Sequence, residues 1–236
     1  QFDEAKKFFK RLDEMKNHSN LTGILSKSLN NWVAFNDLNE KEALKLIDKI
    51  PSKFENIKKI QSAFTGCFYD SDKTDMFFQN LITDQTVDFS RYNYFYANYY
   101  LKKENREKAN QIINQALKLY PNNLILNQFK HDFKKEKIEA NKFDCKNASH
   151  IIAEIFYITS NALSQNSLYS ISNFYLNLAK YLNSEFISFD TLYAENYYMI
   201  DSYDQSKKIY NKIKRKGNFY NWYASKQIAR ILTNGQ

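Results

Sequence analysis

The 236-residue chain contains little glycine, proline or cysteine, with four, two and two residues of each. Tight turns depend on glycine and proline for their backbone dihedrals, so this scarcity excludes an all-β fold with many turns, a collagen-like chain and a proline-rich disordered chain. No uninterrupted apolar run approaches the ~20 residues that cross a bilayer. The 43% hydrophobic and 17% aromatic residues supply ample material for a packed core, which argues against disorder.

Metal-binding spacings are also missing. Cys67 and Cys145 form no C-x-x-C pair, and His18, His131 and His150 lie far from each other and from both cysteines, so we predict no metal or other cofactor. Two cysteines exclude a disulfide framework but leave one bridge undecided. We interpret them as small buried thiols. Two cysteines are compatible with either the cytoplasm or the bacterial periplasm, so the compartment is not predicted.

Catalytic motifs are absent as well. The four glycines are too dispersed for a G-x-G-x-x-G or Walker loop, and the chain has neither H-E-x-x-H nor G-x-S-x-G. Paired carboxylates such as Asp13 and Glu14 are interpreted as ordinary solvated charges. We therefore predict that the chain is not an enzyme.

The net charge of +8 comes mainly from lysine, since 34 Lys and Arg residues include only five arginines. Arginine is the preferred side chain for bidentate contacts to phosphate and guanine. Abundant lysine, asparagine, tyrosine and isoleucine are typical of AT-rich coding, which raises the isoelectric point without a selected partner. The composition argues against a nucleic-acid partner.

Apolar residues recur at spacings of three and four along nearly the whole chain, which predicts an all-α protein. Pro51, Pro121 and Gly217 mark expected helix ends, and Ser52 with Glu55 is typical of a capping box. Short connections favour antiparallel neighbours. Helices are predicted over 2–17, 22–36, 40–50, 53–68, 73–83, 89–103, 106–119, 122–137, 148–165, 168–182, 186–200, 203–215 and 220–233.

Small residues recur within this pattern. Ala97 is followed by Tyr100, and twelve residues after Ala97 comes Ala109, followed by Ile113, Ala116 and Pro121. Two further copies are centred on Ser160 with Ser172 and on Ala194 with Ser206. Small side chains at such spacings allow two helices to cross closely, while neighbouring large side chains fill the adjacent holes.

These residues resemble the tetratricopeptide repeat family, in which a two-helix unit recurs about every 34 residues, the interval from Ser160 to Ala194. The order of the elements, with an unusual helix and a linker before a better-kept C-terminal pair, also resembles that of repeat proteins from AT-rich bacteria. The resemblance implies helix hairpins stacked into a right-handed superhelical solenoid. We expect degenerate repeats over 1–137, an irregular polar linker over 138–147 and better-kept repeats over 148–236. Because the sequence begins at Gln1 within a helical pattern, we expect that the natural product has further residues before Gln1.

The resemblance further implies a protein–protein scaffold that binds a peptide or protein on its concave face. Tyr94 is the one member of a tyrosine-rich stretch that we expect to stay free for a partner, because Tyr96 and Tyr100 occupy packing positions. The residues expected on the concave face are Arg91, Tyr94, Asn98, Lys102, Tyr157, Asn161, Gln165, Thr191, Glu195 and Tyr198.

Two alternatives remain open. A basic helical-repeat surface can bind nucleic acid or another polyanion, in which case affinity would fall steeply with salt. In the second alternative, the chain is a helical regulatory part of a larger enzyme whose catalytic region lies outside it.

Overall fold

A computed structural model describes residues 4–5, 7, 11, 20–84, 86–136 and 141–234. Every regular element in these ranges is helical, which confirms the all-α class. One isolated antiparallel bridge joins Asn141 and Phe186. The α-helices are α1 (Asn20–Ala34), α2 (Glu40–Asp48), α3 (Glu55–Tyr69), α4 (Thr74–Ile82), α5 (Tyr92–Lys102), α6 (Arg106–Leu119), α7 (Leu124–Lys134), α8 (Ala148–Gln165), α9 (Tyr169–Leu182), α10 (Ser188–Met199), α11 (Tyr203–Ile213) and α12 (Asn218–Asn234).

The helix bounds follow the apolar period closely. Helices α6 and α8 have the predicted limits, and the others differ by a few residues. The helix predicted over 2–17 falls almost wholly outside the described residues. The capping box predicted at Ser52 is wrong, because Ser52–Phe54 forms a 3₁₀ turn without a side-chain cap. The box instead occurs at Asn39, whose side chain accepts from the Glu42 backbone N–H while the Glu42 carboxylate accepts from that of Asn39.

Contacts divide the chain into two compact units. The first comprises the residues up to Phe89 together with Asp144–Ile155, and the second comprises Ser90–Phe143 and the residues from Phe156 onward. This grouping differs from the division at 137 and 148 drawn from the sequence. Residues 141–147 lie outside the helices, as expected of the irregular stretch, but they divide between the two units.

Aromatic packing organises the first unit. Trp32 and Phe35 are buried with ring centroids 4.0 Å apart, and Trp32 Nε1 donates to Gln61 Oε1. The Tyr69 hydroxyl lies within hydrogen-bond distance of the backbone oxygens of Phe35 (2.9 Å) and Leu38 (2.8 Å). Burial and the nearby carboxylates of α2 raise the pKa of Tyr69 to about 12. This neutral hydroxyl therefore ties the end of α3 to the turn that follows α1.

A disulfide also stabilises the first unit. Cys67 on α3 is bonded to Cys145, three residues before α8 begins. Both residues are buried, but interpreting them as free thiols is wrong. Apolar spacing shows only that Cys67 points inward, and it gives no information about a partner 78 residues away.

One turn geometry follows four helices. Asp70, Glu104, Ser167 and Asp201 all have φ between 56° and 61°. In each case the next residue's N–H donates to the carbonyl five positions earlier, over 2.9–3.0 Å. This bond is the Schellman closure, which satisfies a carbonyl left open at a helix end. Non-glycine residues fill the left-handed position, so the scarcity of glycine conceals these turns in the sequence.

Small buried residues lie where the hairpin helices of the second unit cross. Ala97 on α5 and Ala109 on α6 have no exposed surface. The Ser172 hydroxyl donates to the Ser160 carbonyl over 2.8 Å, at a separation of 12 residues. The Ser206 hydroxyl donates to the Ala194 carbonyl over 2.8 Å at the same separation. A serine can replace alanine at such a crossing because its hydroxyl finds an acceptor on the opposite helix.

Candidate interaction surface

A short non-helical segment, Asn141–Phe143, is held within the second unit through its backbone. The Tyr94 hydroxyl donates to the Asn141 carbonyl over 2.6 Å, and the Asn98 amide donates to the Phe143 carbonyl over 2.9 Å. The carbonyl between them, of Lys142, accepts from the Asn183 amide over 2.9 Å. Three successive carbonyls are therefore bound by side chains of α5 and of the residue that follows α9.

The side chains of this segment are bound as well. Asn141 Nδ2 donates to the Tyr220 hydroxyl over 2.9 Å, while Asn141 Oδ1 accepts from the Ser188 N–H and hydroxyl over 3.1 and 2.9 Å. Burial raises the pKa of Tyr220 to about 12, so this hydroxyl stays neutral. The Phe143 ring lies 4.4 Å from that of Phe95. The segment is thus recognised by both its backbone and its side chains.

Tyr94 and Asn98 are consequently not open to an external partner. Tyr94 is 1% exposed, and its ring packs edge-on against Phe129. Asn98 is 7% exposed. The expectation that Tyr94 stays free is wrong, because residues 141–143 occupy the position where a partner would have met it.

Arg91 and Tyr157 contact each other. The Arg91 guanidinium lies 4.0 Å from the Tyr157 ring centroid and 5.0 Å from that of Phe186, and both Arg91 and Tyr157 are half-buried. A guanidinium stacked on aromatic faces is stabilised by the ring quadrupole and by the contact of the two planes. The sequence predicted both residues on the concave face, and in the structure they contact other side chains of the chain.

Arg230 on α12 brings Glu195 and Tyr198 together. Its Nη1 lies 3.1 Å from Glu195 Oε1, and its guanidinium lies 3.9 Å from the Tyr198 ring centroid. The other Glu195 oxygen accepts from the Tyr210 hydroxyl over 3.0 Å. Burial and the nearby Tyr223 and Glu195 raise the pKa of Tyr210 well above its usual range. All three members of the Arg230 cluster (Glu195, Tyr198 and Arg230) still reach solvent.

The remaining predicted residues lie nearer the surface. Lys102 and Gln165 are exposed, at the ends of α5 and α8. Asn161 and Thr191 are half-buried, and the Thr191 hydroxyl donates to the Ser188 carbonyl over 2.7 Å. These side chains, with Arg91, Tyr157, Glu195 and Tyr198, are the part of the predicted surface that solvent reaches.

Sequence reasoning missed several of the residues that shape this region. Asn141 and Asn183 lie outside the helices, where no period indicates their orientation. Arg230 lies on a helix for which no inward positions were assigned. An arginine on a helix whose other face supplies Tyr220 and Ala224 to the core was a usable signal.

No helix in the described ranges is long and apolar enough to cross a membrane. Within those ranges, no three histidine, cysteine or carboxylate side chains gather in a group that could hold a metal ion. No protein-family model and no curated protein matches the chain significantly.

Proposed function

We propose that the chain is a non-enzymatic protein-interaction module, whose second unit stacks helix hairpins in the manner of tetratricopeptide repeats and binds a segment of a partner protein. The observation that carries this proposal is the binding of Asn141–Phe143 through three successive carbonyls. Side chains that satisfy a non-helical backbone are what a peptide-binding groove requires, because an unpaired carbonyl is costly to bury.

The repeated geometry supports the hairpin arrangement. Left-handed turn residues recur 34 positions apart, from Asp70 to Glu104 and from Ser167 to Asp201. The paired small residues at the helix crossings of the second unit are 12 positions apart in two hydrogen-bonded cases. A hairpin repeated at a fixed interval buries its apolar faces by stacking on its neighbours.

We place the partner on the solvent-facing part of the inner surface. Gln165 and Lys102 supply exposed polar groups at helix ends, and the Arg230 cluster supplies an aromatic ring beside a charged pair. Tyrosine and arginine are the residues that most often dominate the affinity of protein interfaces. Hydrogen bonds from Gln165 and Lys102 to the main chain of the partner would contribute affinity. Contacts of its side chains with Tyr198 and Glu195 would contribute selectivity.

A random-peptide display library, panned against the full oxidised chain, tests the proposal. We expect the enriched peptides to lose about tenfold or more in affinity when Tyr198→Ala or Arg230→Ala is introduced, since interface anchors of this kind are worth more than 1.4 kcal/mol. Phe174→Ala is the matched control, because it removes an exposed aromatic ring from α9, outside the predicted surface.

Fluorescence anisotropy with one enriched peptide gives the affinities, and circular dichroism shows that each variant is folded. Enriched peptides whose affinity is unchanged in both surface variants would place binding elsewhere. A library that yields no binder would remove peptide recognition from consideration.

A further inference from the structure

A groove of about 620 Å³ lies between the end of α7 and the connection from α11 to α12 in the second unit. Its basic lining consists of His131 and Lys135 on one side and Arg215 and Lys216 on the other. The remaining lining residues are Gln128, Asp132, Gly217 and Asn218. This groove is separate from the partner surface proposed above.

Hydrogen bonds of the Gln128 side chain hold the floor of the groove in place. Gln128 is buried, its Oε1 accepts from the Phe219 N–H over 3.0 Å, and its Nε2 donates to Asp132 over 2.6 Å. Gly217 has φ +146°, and a Cβ there would lie within 2.3–2.5 Å of the Gln128 side chain. The amide therefore caps the first turn of α12 and fixes the connection that carries Arg215 and Lys216.

The charge of the groove is unbalanced. Lys135, Arg215 and Lys216 are exposed, and none forms an ion pair with any residue that the structure describes. The one acidic lining residue, Asp132, is half-buried and accepts from Gln128. Lys134 and Lys214, both exposed, adjoin Lys135 and Arg215 in the sequence, and the exposed Glu136 follows Lys135. Cations concentrated on the walls of a cleft attract an anionic partner more strongly than the same charges spread over a surface.

The aromatic residues beside the groove favour a protein rather than a nucleic acid. Phe219 packs its ring edge-to-face with His131 at 6.0 Å, so one ring is already engaged. Trp222, 65% exposed, lies one helical turn beyond Asn218. Single-stranded nucleic acids need successive aromatic faces on which to stack, and arginine serves phosphate better than lysine. Lys226 Nζ lies 5.6 Å from the Trp222 ring centroid, so this exposed ring also stands among lysine charges. One exposed tryptophan beside mainly lysine charge is suited to an acidic peptide with an apolar residue.

We propose that this groove binds an acidic segment of a partner protein, whose carboxylates pair with Lys135, Arg215 and Lys216 while an apolar side chain contacts Trp222. Charge complementarity identifies this occupant. Binding here is independent of the inner surface proposed above, so either site can fail its test without the other.

The probe is a fluorescein-labelled octaglutamate carrying one leucine, measured by anisotropy against the full oxidised chain. We expect Arg215→Glu/Lys216→Glu to weaken binding about tenfold or more, because two attractive pairs of modest strength become repulsive. Lys118→Glu/Lys208→Glu is the matched control, since it changes the net charge equally at two exposed lysines outside the groove. The control should change affinity less than about twofold, and raising salt from about 50 to about 300 mM should weaken the wild-type complex.

Three results would overturn the proposal. One is the absence of binding to the acidic peptide at low salt. A second is equal weakening by the two double variants, which would show that only net charge matters. The third is tighter binding of a single-stranded oligothymidylate that depends on Arg215 and Lys216, which would assign the groove to nucleic acid. Equal thermal unfolding of both variants and the wild type controls for folding.

Discussion

Reduction of the bridge between Cys67 and Cys145 should markedly lower the stability of the chain. The bridge closes a loop of 78 residues that contains the C-terminal end of α3, all of α4 to α7 and their connections. Cross-linking a loop of that length removes conformational entropy from the unfolded chain that corresponds to about 4.5 kcal/mol at 25 °C. Folded domains are stable by only about 5–15 kcal/mol, so the loss is a large share of the total.

Guanidinium unfolding of the oxidised and the reduced wild-type chain, followed by circular dichroism, measures this difference without changing a side chain. We expect the free energy of unfolding to fall by about 3–4.5 kcal/mol on reduction. Cys67→Ala/Cys145→Ala is the matched variant, and it should agree with the reduced wild type to within about 1 kcal/mol beyond the small loss of packing. Thiol alkylation of the unfolded chain should label no cysteine without reductant and both with it.

Two results would refute this reasoning. The first is alkylation of both cysteines in unfolded chain that has never been reduced, since the bond would then be absent. The second is an oxidised–reduced difference below about 1 kcal/mol, which would mean that the bridge barely constrains the unfolded ensemble.

The remaining predictions concern two tyrosines and two glycines. Burial raises the pKa of Tyr220 and of Tyr223 to about 12, so each contributes stability that is complete below about pH 10 and is lost as the pH rises towards 12, by about 2.7 kcal/mol per residue. Tyrosine ¹³Cζ resonances assigned to Tyr220 and Tyr223 and recorded alongside circular dichroism should show that these two hydroxyls ionise only as the chain unfolds, and their ionisation near pH 10 in folded protein would contradict this. Gly217→Ala should destabilise by about 2–3 kcal/mol through backbone strain and the clash with Gln128. Gly23→Ala, in a helix with nothing within 4 Å of the new Cβ, should stabilise the chain by about 0.5–1 kcal/mol. Guanidinium unfolding measures both glycine variants, and a similar change in their free energies of unfolding would contradict the role of Gln128.

The apolar period was sufficient to predict the helices because it reports which face of each helix is buried. The limits of α6 and α8 were predicted to the residue, and Ser160, Ser172, Ala194 and Ser206 were expected at crossings where the structure finds them buried. Periodicity is local, so long-range partners were not predictable. The disulfide of Cys67, the grouping of residues 144–155 with the first unit and the choice of Gln128 as a cap all depend on residues distant in the sequence.

The predicted inner surface shows the same limit in more detail. The period predicted Tyr94 and Asn98 on the partner-binding side of α5, whereas the structure has them bonded to the chain's own backbone. A helical pattern gives the direction of a side chain and not its depth. The covering segment, Asn141–Phe143, has no period of its own, so nothing local indicated that it would satisfy those groups. With that segment bound, the predicted residues that still reach solvent include Gln165, Glu195 and Tyr198. A partner must therefore be recognised mainly by side chains that the chain's own backbone has left uncovered.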